Sequence, residues 1–286
     1  MTERPVIAIT GANGYLGSVC GAAFVAAGFS VRRLVRNPDH AKGDRKFSLA
    51  QGCDADALAG VSVLIHCAYD FTPRSRHGIW ATNVLGTRRL LKAAQDAAVP
   101  RTILISSMSA YAGTRQHYGR AKLASELDAR AVDAIIVRPG LVYGPQWGGT
   151  AGSLRTLASL PIVPLVAPHA HQFTIREDEF TSAMVTLATA PFVPRVPLGL
   201  AEPTPIEFRE LLIGISRATT MRTPRFGPIP WRALYAVMRV GELLRLPLPL
   251  RADSLLGLVR PAKEVPGIDE VTTLSIRFSP FDLGNE

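Results

Sequence analysis

The stretch from Val6 to Gly17, V-I-A-I-T-G-A-N-G-Y-L-G, constrains the fold of this chain more than any other. A short apolar run leads into Gly11, Gly14 and Gly17, and an apolar-periodic helical pattern then runs to about Gly28. A strand, a glycine turn and a helix start in that order build an anion site. The first N–H groups of a helix lack intrahelical partners and carry partial positive charge, so they hold a pyrophosphate. Glycine serves where the turn is tight, where backbone approaches phosphate and where helix packs on strand. The spacing is G-x-x-G-x-x-G, a loose match to the commoner G-x-G-x-x-G fingerprint. An ordinary strand-to-helix turn is the competing reading; the flanking strand and helix favour the dinucleotide loop.

The 286 residues, 47% hydrophobic, suffice for one large domain or two intimately joined ones. Thr2, Glu3 and Arg4 lead straight into the first strand, so no signal peptide is expected, and no apolar run approaches the length of a membrane span. Cys20, Cys53 and Cys67 are scattered and form neither a metal spacing nor a disulfide framework, which fits a reducing cytoplasm and no metal. The net charge of +9 is dispersed. It suits anionic cofactors and substrates, and the lack of an aromatic-interleaved basic run argues against nucleic acid.

Val31–Val35 reads as a second strand, and Phe47–Leu49 as a short third. Val35 stands where a dinucleotide fold usually places an acid for the adenosine ribose, and Arg36 follows. A guanidinium there binds a 2′-phosphate that a carboxylate repels, so NADP(H) is preferred, with NAD(H) the alternative. Val61–Ala68 is a buried strand whose His66 reads as a packed core residue. Thr72–His77 reads as a polar loop and Ile79–Ala98 as a helix. Arg101–Ile105 is a strand ending in Ser106 and Ser107, a helix starts at Tyr118 and runs to about Arg130, and Asp133–Val137 is the next strand. This alternation predicts a Rossmann-type doubly wound parallel sheet with its ligand crevice at the carboxyl ends of the strands. Beyond Pro145 regularity fades. Gln146–Thr150 reads as a glycine loop, Phe173–Ala190 as a short strand and helix, and Pro205–Ala218 as an amphipathic helix. The proline-punctuated Pro224–Pro261 reads as short helices. The expected division is a Rossmann domain over 1–145, completed by parts of 172–200, and an interleaved, smaller, mostly helical substrate-binding region over 146–286.

Tyr118 and Lys122 stand at i and i+4 on one helix face. A nearby ammonium favours the phenolate and would lower the usual tyrosine pKa of ~10 toward neutrality. Ser107, at a strand end, can bond the same substrate oxygen. Together they read as a site for hydride transfer at a carbonyl or secondary alcohol, with the proton on Tyr118, the oxygen polarised by Ser107, and Lys122 tuning Tyr118 and holding the cofactor ribose.

With these motifs in place the chain resembles the extended short-chain dehydrogenases/reductases, also called the NAD-dependent epimerase/dehydratase family. The resemblance rests on G-A-N-G-Y-L-G (11–17), H-C-A (66–68), N-V-L-G-T (83–87), S-S-M-S-A-Y-A-G (106–113), Y-G-R-A-K (118–122), R-P-G-L-V-Y-G-P (138–145) and A-E-P-T-P-I-E-F-R-E-L (201–211). It implies Ser107, Tyr118 and Lys122 as the catalytic triad and Asn83 as the structural asparagine. It also implies cofactor contacts from Gly11, Asn13, Gly14, Tyr15, Leu16, Gly17, Arg36, Cys67, Ala68, Asn83, Ser106, Tyr118, Lys122 and Pro139, and a homodimer built on the helices around 79–98 and 117–130.

Departures narrow the reaction. Met108–Ser109 replace the Asp-Glu pair of family dehydratases, Leu141 replaces an asparagine typical of nucleotide-sugar epimerases, and no arginine for a diphosphate stands near His171. The loop between Ser107 and Tyr118 is short, and Trp231–Leu258 is apolar like the members acting on hydrophobic ketones and alcohols, or simply core. Three functions are thus weighed: an NADP(H)-preferring oxidoreductase on a small-molecule ketone or alcohol, a nucleotide-sugar epimerase holding its cofactor tightly, and a non-catalytic dinucleotide sensor.

Overall fold

In the computed structural model Val6–Thr10 forms β1, and Ile7, Ala8 and Ile9 are fully buried on its two faces. An unbroken apolar run is what a strand needs when helices cover both sides of its sheet. The structure describes residues 4–54, 56–244, 246 and 251–283. Residues 1–3, 55, 245, 247–250 and 284–286 lie outside them.

After β1 come α1 (Tyr15–Ala26), β2 (Ser30–Val35), β3 (Arg45–Ser48), β4 (Gly52–Cys53) and β5 (Val61–His66). Then follow α2 (Arg76–Ile79), a π-helical turn at Trp80–Val84, α3 (Leu85–Asp96), β6 (Arg101–Ile105), α4 (His117–Arg130), β7 (Ile135–Pro139) and β8 (Leu141–Tyr143). The later part comprises α5 (Gly149–Ala158), β9 (Ile162–Leu165), β10 (His171–Gln172), β11 (Thr174–Arg176), α6 (Glu177–Thr189), β12 (Leu198–Leu200), β13 (Ile206–Glu207) and α7 (Phe208–Thr220). It closes with β14 (Arg225–Pro228), α8 (Trp231–Leu243), α9 (Ala252–Val259) and α10 (Ile268–Thr273).

The main sheet has the order β12-β7-β6-β5-β1-β2-β3-β4, parallel throughout except where β4 runs against β3. The order reverses between β1 and β5, so the ligand crevice of this doubly wound α/β fold opens at their carboxyl ends. Alternate residues serve opposite faces. Ile7 and Ile9 join Phe24 and Phe180 in the layer under α1 and α6, whereas Ala8 joins Leu34, Leu64 and Leu90 under α3. The edge strand β12 comes from late in the chain and pairs with β7. Arg101 ties α6 to the sheet by donating to the carbonyls of Leu187, Ala188 and Ala190, which satisfies helix C-terminal acceptors.

A second core, with Leu154, Val163, Phe208, Leu212, Met238 and Leu255, gathers α5, α7, α8 and α9 over the strand ends. Short pairs stiffen it: β9 with β14 parallel, and β10 with β13 antiparallel.

Several elements depart from the sequence expectations. The third strand lies at Arg45–Ser48, not Phe47–Leu49, because Phe47 and Ser48 turn back to pair with β4. The long helix starts at Arg76, inside the expected loop, where the Ser75 hydroxyl accepts from the Gly78 amide, and it is interrupted by the π turn. The expected glycine loop ends early, because α5 begins at Gly149. Its cap, Gly148, must lack a side chain: a Cβ there would fall 2.2 Å from the Tyr15 ring.

α4 is fastened by a buried ion pair. Glu126 accepts from Arg138 Nε at 2.8 Å and Nη2 at 2.6 Å, and from the Ser106 hydroxyl at 2.5 Å, so its charge is paired on both oxygens. Removing one member strands the other in an apolar layer. Glu126→Ala is therefore expected to lose roughly 3–5 kcal/mol of stability. Pairing it with Arg138→Met should recover part of that loss, as read from urea unfolding midpoints of the single and double variants; strictly additive losses would contradict the assignment.

Candidate active site

The glycine turn after β1 fits a dinucleotide. Gly11 has φ +66°, and a Cβ on it would meet the Ala68 backbone at 2.9 Å; a Cβ on Gly17 would meet the Gly11 carbonyl at 2.2 Å. Only glycine permits this fold of the loop over β5 and α1. Gly14 caps α1 with no side-chain hydrogen bond, and the first turn of α1 holds no acid, so the positive end of the helix is left for an anion. Asn13 Oδ1 accepts from Arg33, a side chain the sequence did not single out, which also faces Asp44 at 3.6 Å. Arg36 is exposed at the exit of β2. The Tyr15 hydroxyl donates to Glu177 Oε2 at 2.7 Å, and Leu16 joins Tyr15 in the cavity wall described below.

At the end of β5, His66 is 1% exposed. Its Nδ1 is 2.6 Å from Thr10 Oγ1 and its Nε2 is 2.9 Å from Thr87 Oγ1, so both ring nitrogens are used inside the core. Burial, with the charge of Lys122 adding to it, depresses its pKa to about 3. Cys67 lies against Cys20, whose thiol that contact and burial push up. Asn83 accepts from the Asp70 amide at 2.7 Å and donates to the Asp70 carbonyl at 3.0 Å, which fixes the loop bearing Tyr69 and Phe71.

Ser107 follows β6, and Tyr118 and Lys122 occupy successive turns of α4; all three line one cavity of about 510 Å³. Lys122 is 5% exposed and donates to the Ile105 carbonyl at 2.7 Å, with its Nζ 5.2 Å from the Tyr69 ring centre and 6.0 Å from that of Tyr118. Burial lowers its pKa to about 8 against the opposing pull of Cys67 and Glu126. The Tyr118 pKa is raised, not lowered as the sequence leads one to expect. Burial pushes it up to about 12, and hydrogen bonding with Ser107 offsets only part of this. The ammonium is itself desolvated and spends a proton on Ile105, so desolvation of the phenol wins. Tyr118 is thus held as the neutral phenol.

Ser106 and Pro139 also reach the cavity wall, the Ser106 hydroxyl being committed to Glu126. The far wall is apolar: Leu154, Val166, Phe208, Leu234, Met238 and Leu255 come from α5, α7, α8, α9 and the segment after β9. The cap that α9 supplies to α4 was not legible in sequence. Asp253 accepts from the amides of His117 at 2.7 Å and Tyr118 at 3.1 Å, capping α4 from more than a hundred residues away. No grouping of three His, Cys, Asp or Glu suited to a metal occurs among the described residues. No helix among them is long and apolar enough to cross a membrane.

A sequence profile of the NAD dependent epimerase/dehydratase family matches residues 7–160, more than half of the chain. The chain belongs to that family. Among its relatives, the ceramide reductase of Caulobacter vibrioides is 34% identical over 209 residues, covering 70% of this chain and 64% of that protein. Sterol demethylase protein B of Methylococcus capsulatus is 30% identical over 171 residues, 48% of this chain and 51% of its own length. The chain thus spans less than two thirds of either relative. In fold it is similar to the terminal R domain of the myxalamid PKS-NRPS pathway, with a TM-score of 0.72 over 99% of this chain and 88% of that one at 18% identity.

The neutral, buried His66 makes stability depend on pH. Its folded pKa of about 3 lies below the unfolded value, so the unfolded chain takes up a proton that the folded one refuses. This family member should therefore lose stability as pH falls through ~6.5, by at most about 1.4 kcal/mol per pH unit from this group. His66→Gln should remove that part of the slope in unfolding midpoints recorded between neutral and mildly acid pH; an unchanged slope would refute it.

Proposed function

We propose that this protein is an NADP(H)-preferring oxidoreductase that interconverts a ketone and a secondary alcohol on a lipophilic small molecule. The observation that carries the reading is the meeting of Ser107, Tyr118 and Lys122 with an apolar wall in a single cavity. NADPH, when bound on the glycine turn, supplies the hydride. Tyr118 gives its proton to the carbonyl oxygen as charge develops there, and Ser107 donates a hydrogen bond to the same oxygen. Lys122, protonated below about pH 8, stabilises the tyrosinate left behind. Ketone, hydride and proton then balance as alcohol. The cofactor would lie on Gly11, Asn13, Gly14, Tyr15, Leu16 and Gly17, past Cys67, Ala68, Ser106 and Pro139, with Arg36 on the 2′-phosphate and Asn83 holding the neighbouring loop.

The lipophilic substrate is supported by the wall of leucines and Phe208, and by the names of the ceramide- and sterol-directed relatives. The nucleotide-sugar reading draws less support, since Leu141 and Phe173 line the cavity and His171 is exposed. The sensor reading gives the desolvated Lys122 and the raised Tyr118 no use.

Tyr118→Phe should cut NADPH-dependent reduction by roughly 10²–10⁴-fold. The wild-type rate should fall as pH rises through about 8, when Lys122 loses its proton. Lys122→Met should be slow and lack that limb; a full-rate Tyr118→Phe enzyme would remove the proton donor from this scheme. Arg36→Ala should weaken NADPH binding about ten- to a hundredfold and leave NADH unchanged, as measured by fluorescence titration, and an equal loss of both would assign Arg36 no part in 2′-phosphate recognition.

A further inference from the structure

Gln116 lies two residues before Tyr118, is 8% exposed and lines the reaction cavity. It occupies the N-cap position of α4, yet its side chain caps nothing. Asp253 has taken that duty by accepting from the amides of His117 and Tyr118. The carboxamide is thereby released from the backbone, and its Oε1 is buried with no hydrogen-bond partner among the described residues. From the other side α9 presses Gly257 against it: a Cβ at Gly257 would fall 2.8 Å from both Nε2 and Oε1. A buried amide oxygen without a partner costs free energy that a fold seldom leaves uncompensated. Two charged groups of the same cavity wall are occupied, Asp253 by α4 and Arg251 by the Pro73 carbonyl at 3.2 Å.

We propose that Gln116 is the polar subsite of the substrate cavity, pairing with a hydroxyl or amide group carried on the carbon next to the reacting carbonyl. A carboxamide offers one donor and one acceptor face, which matches either group, and a plain alkyl ketone leaves it unpaired. Discrimination by an unpaired buried polar group is far stronger than by an extra methylene. The apolar wall then takes the hydrocarbon part, and Gln116 sets which end of an amphiphile faces Tyr118. The subsite rests on the reductase reading and deepens it by naming the substrate class.

The test uses three ketones sharing one long alkyl chain: unsubstituted, with an α-hydroxyl, and with an α-acetamido group. kcat/KM with NADPH is measured for wild type, Gln116→Met and Gly257→Ala. Wild type should prefer at least one substituted ketone over the plain one by about tenfold or more, and the preferred arm tells hydroxyl from amide. In Gln116→Met that ratio should collapse to about one. Gly257→Ala, which displaces the carboxamide without changing its chemistry, should lower the ratio in the same direction; it also stands in should the methionine variant fail to fold. Equal turnover of all three ketones by wild type, or a ratio that survives Gln116→Met, overturns the subsite and leaves the reductase reading standing. No NADPH consumption with any of the three overturns both.

Discussion

The carboxylate of Asp253, bonded to the amides of His117 and Tyr118, is the interaction on which the site depends. It sits where the late helices meet the sheet, and it performs two tasks at once. It closes the open end of α4, whose own cap residue does not, and it binds the apolar wall to the helix carrying Tyr118. A negative charge at the positive end of a helix is favourable in itself. Here that gain is turned into registration: the apolar wall of the cavity and the phenol of Tyr118 are anchored to the same turn.

Along α4 the groups then fall in sequence, one per turn. Tyr118 faces the cavity, Lys122 lies beneath it against the Ile105 carbonyl, and Glu126 lies beneath that, paired to Arg138. Polarity is handed inward down the helix, each charge compensated by the next element of the sheet. Tyr118 is half-buried and Lys122 buried, and desolvation is the largest influence on the protonation of both. It keeps the phenol neutral and makes the ammonium easier to discharge, the reverse of what a charge placed four residues away does in water.

The central sheet was legible in the sequence because its strands are buried on both faces, which demands apolar runs such as Val6–Thr10 and Val61–His66 that no other element explains. That Ser107, Tyr118 and Lys122 would share one cavity was legible because they lie within a short span at a strand end and the first turns of a helix. The later half was not. α5 begins with two glycines in its first four residues, a composition that reads as loop, and it forms because Gly148 slots beneath Tyr15. β9 and β14 pair across some sixty residues with prolines in both, so neither shows a strand pattern alone. Asp253 and Gln116 acquire their meaning only from each other, and no local periodicity records a cap supplied from the far end of the chain. The Glu126–Arg138 pair was within reach, since Glu126 continues the i, i+4 spacing of Tyr118 and Lys122.

Tyr15 belongs to both halves of the site. Its backbone is part of the turn that would carry the pyrophosphate, its ring roofs Gly148 at the entry to α5, and its hydroxyl is moored to Glu177 at the head of α6. Cofactor seat and substrate wall therefore share a hinge pin rather than a mere boundary. A shift of this one ring would be felt on both sides, at the glycine turn through its backbone and in the cavity wall through Gly148.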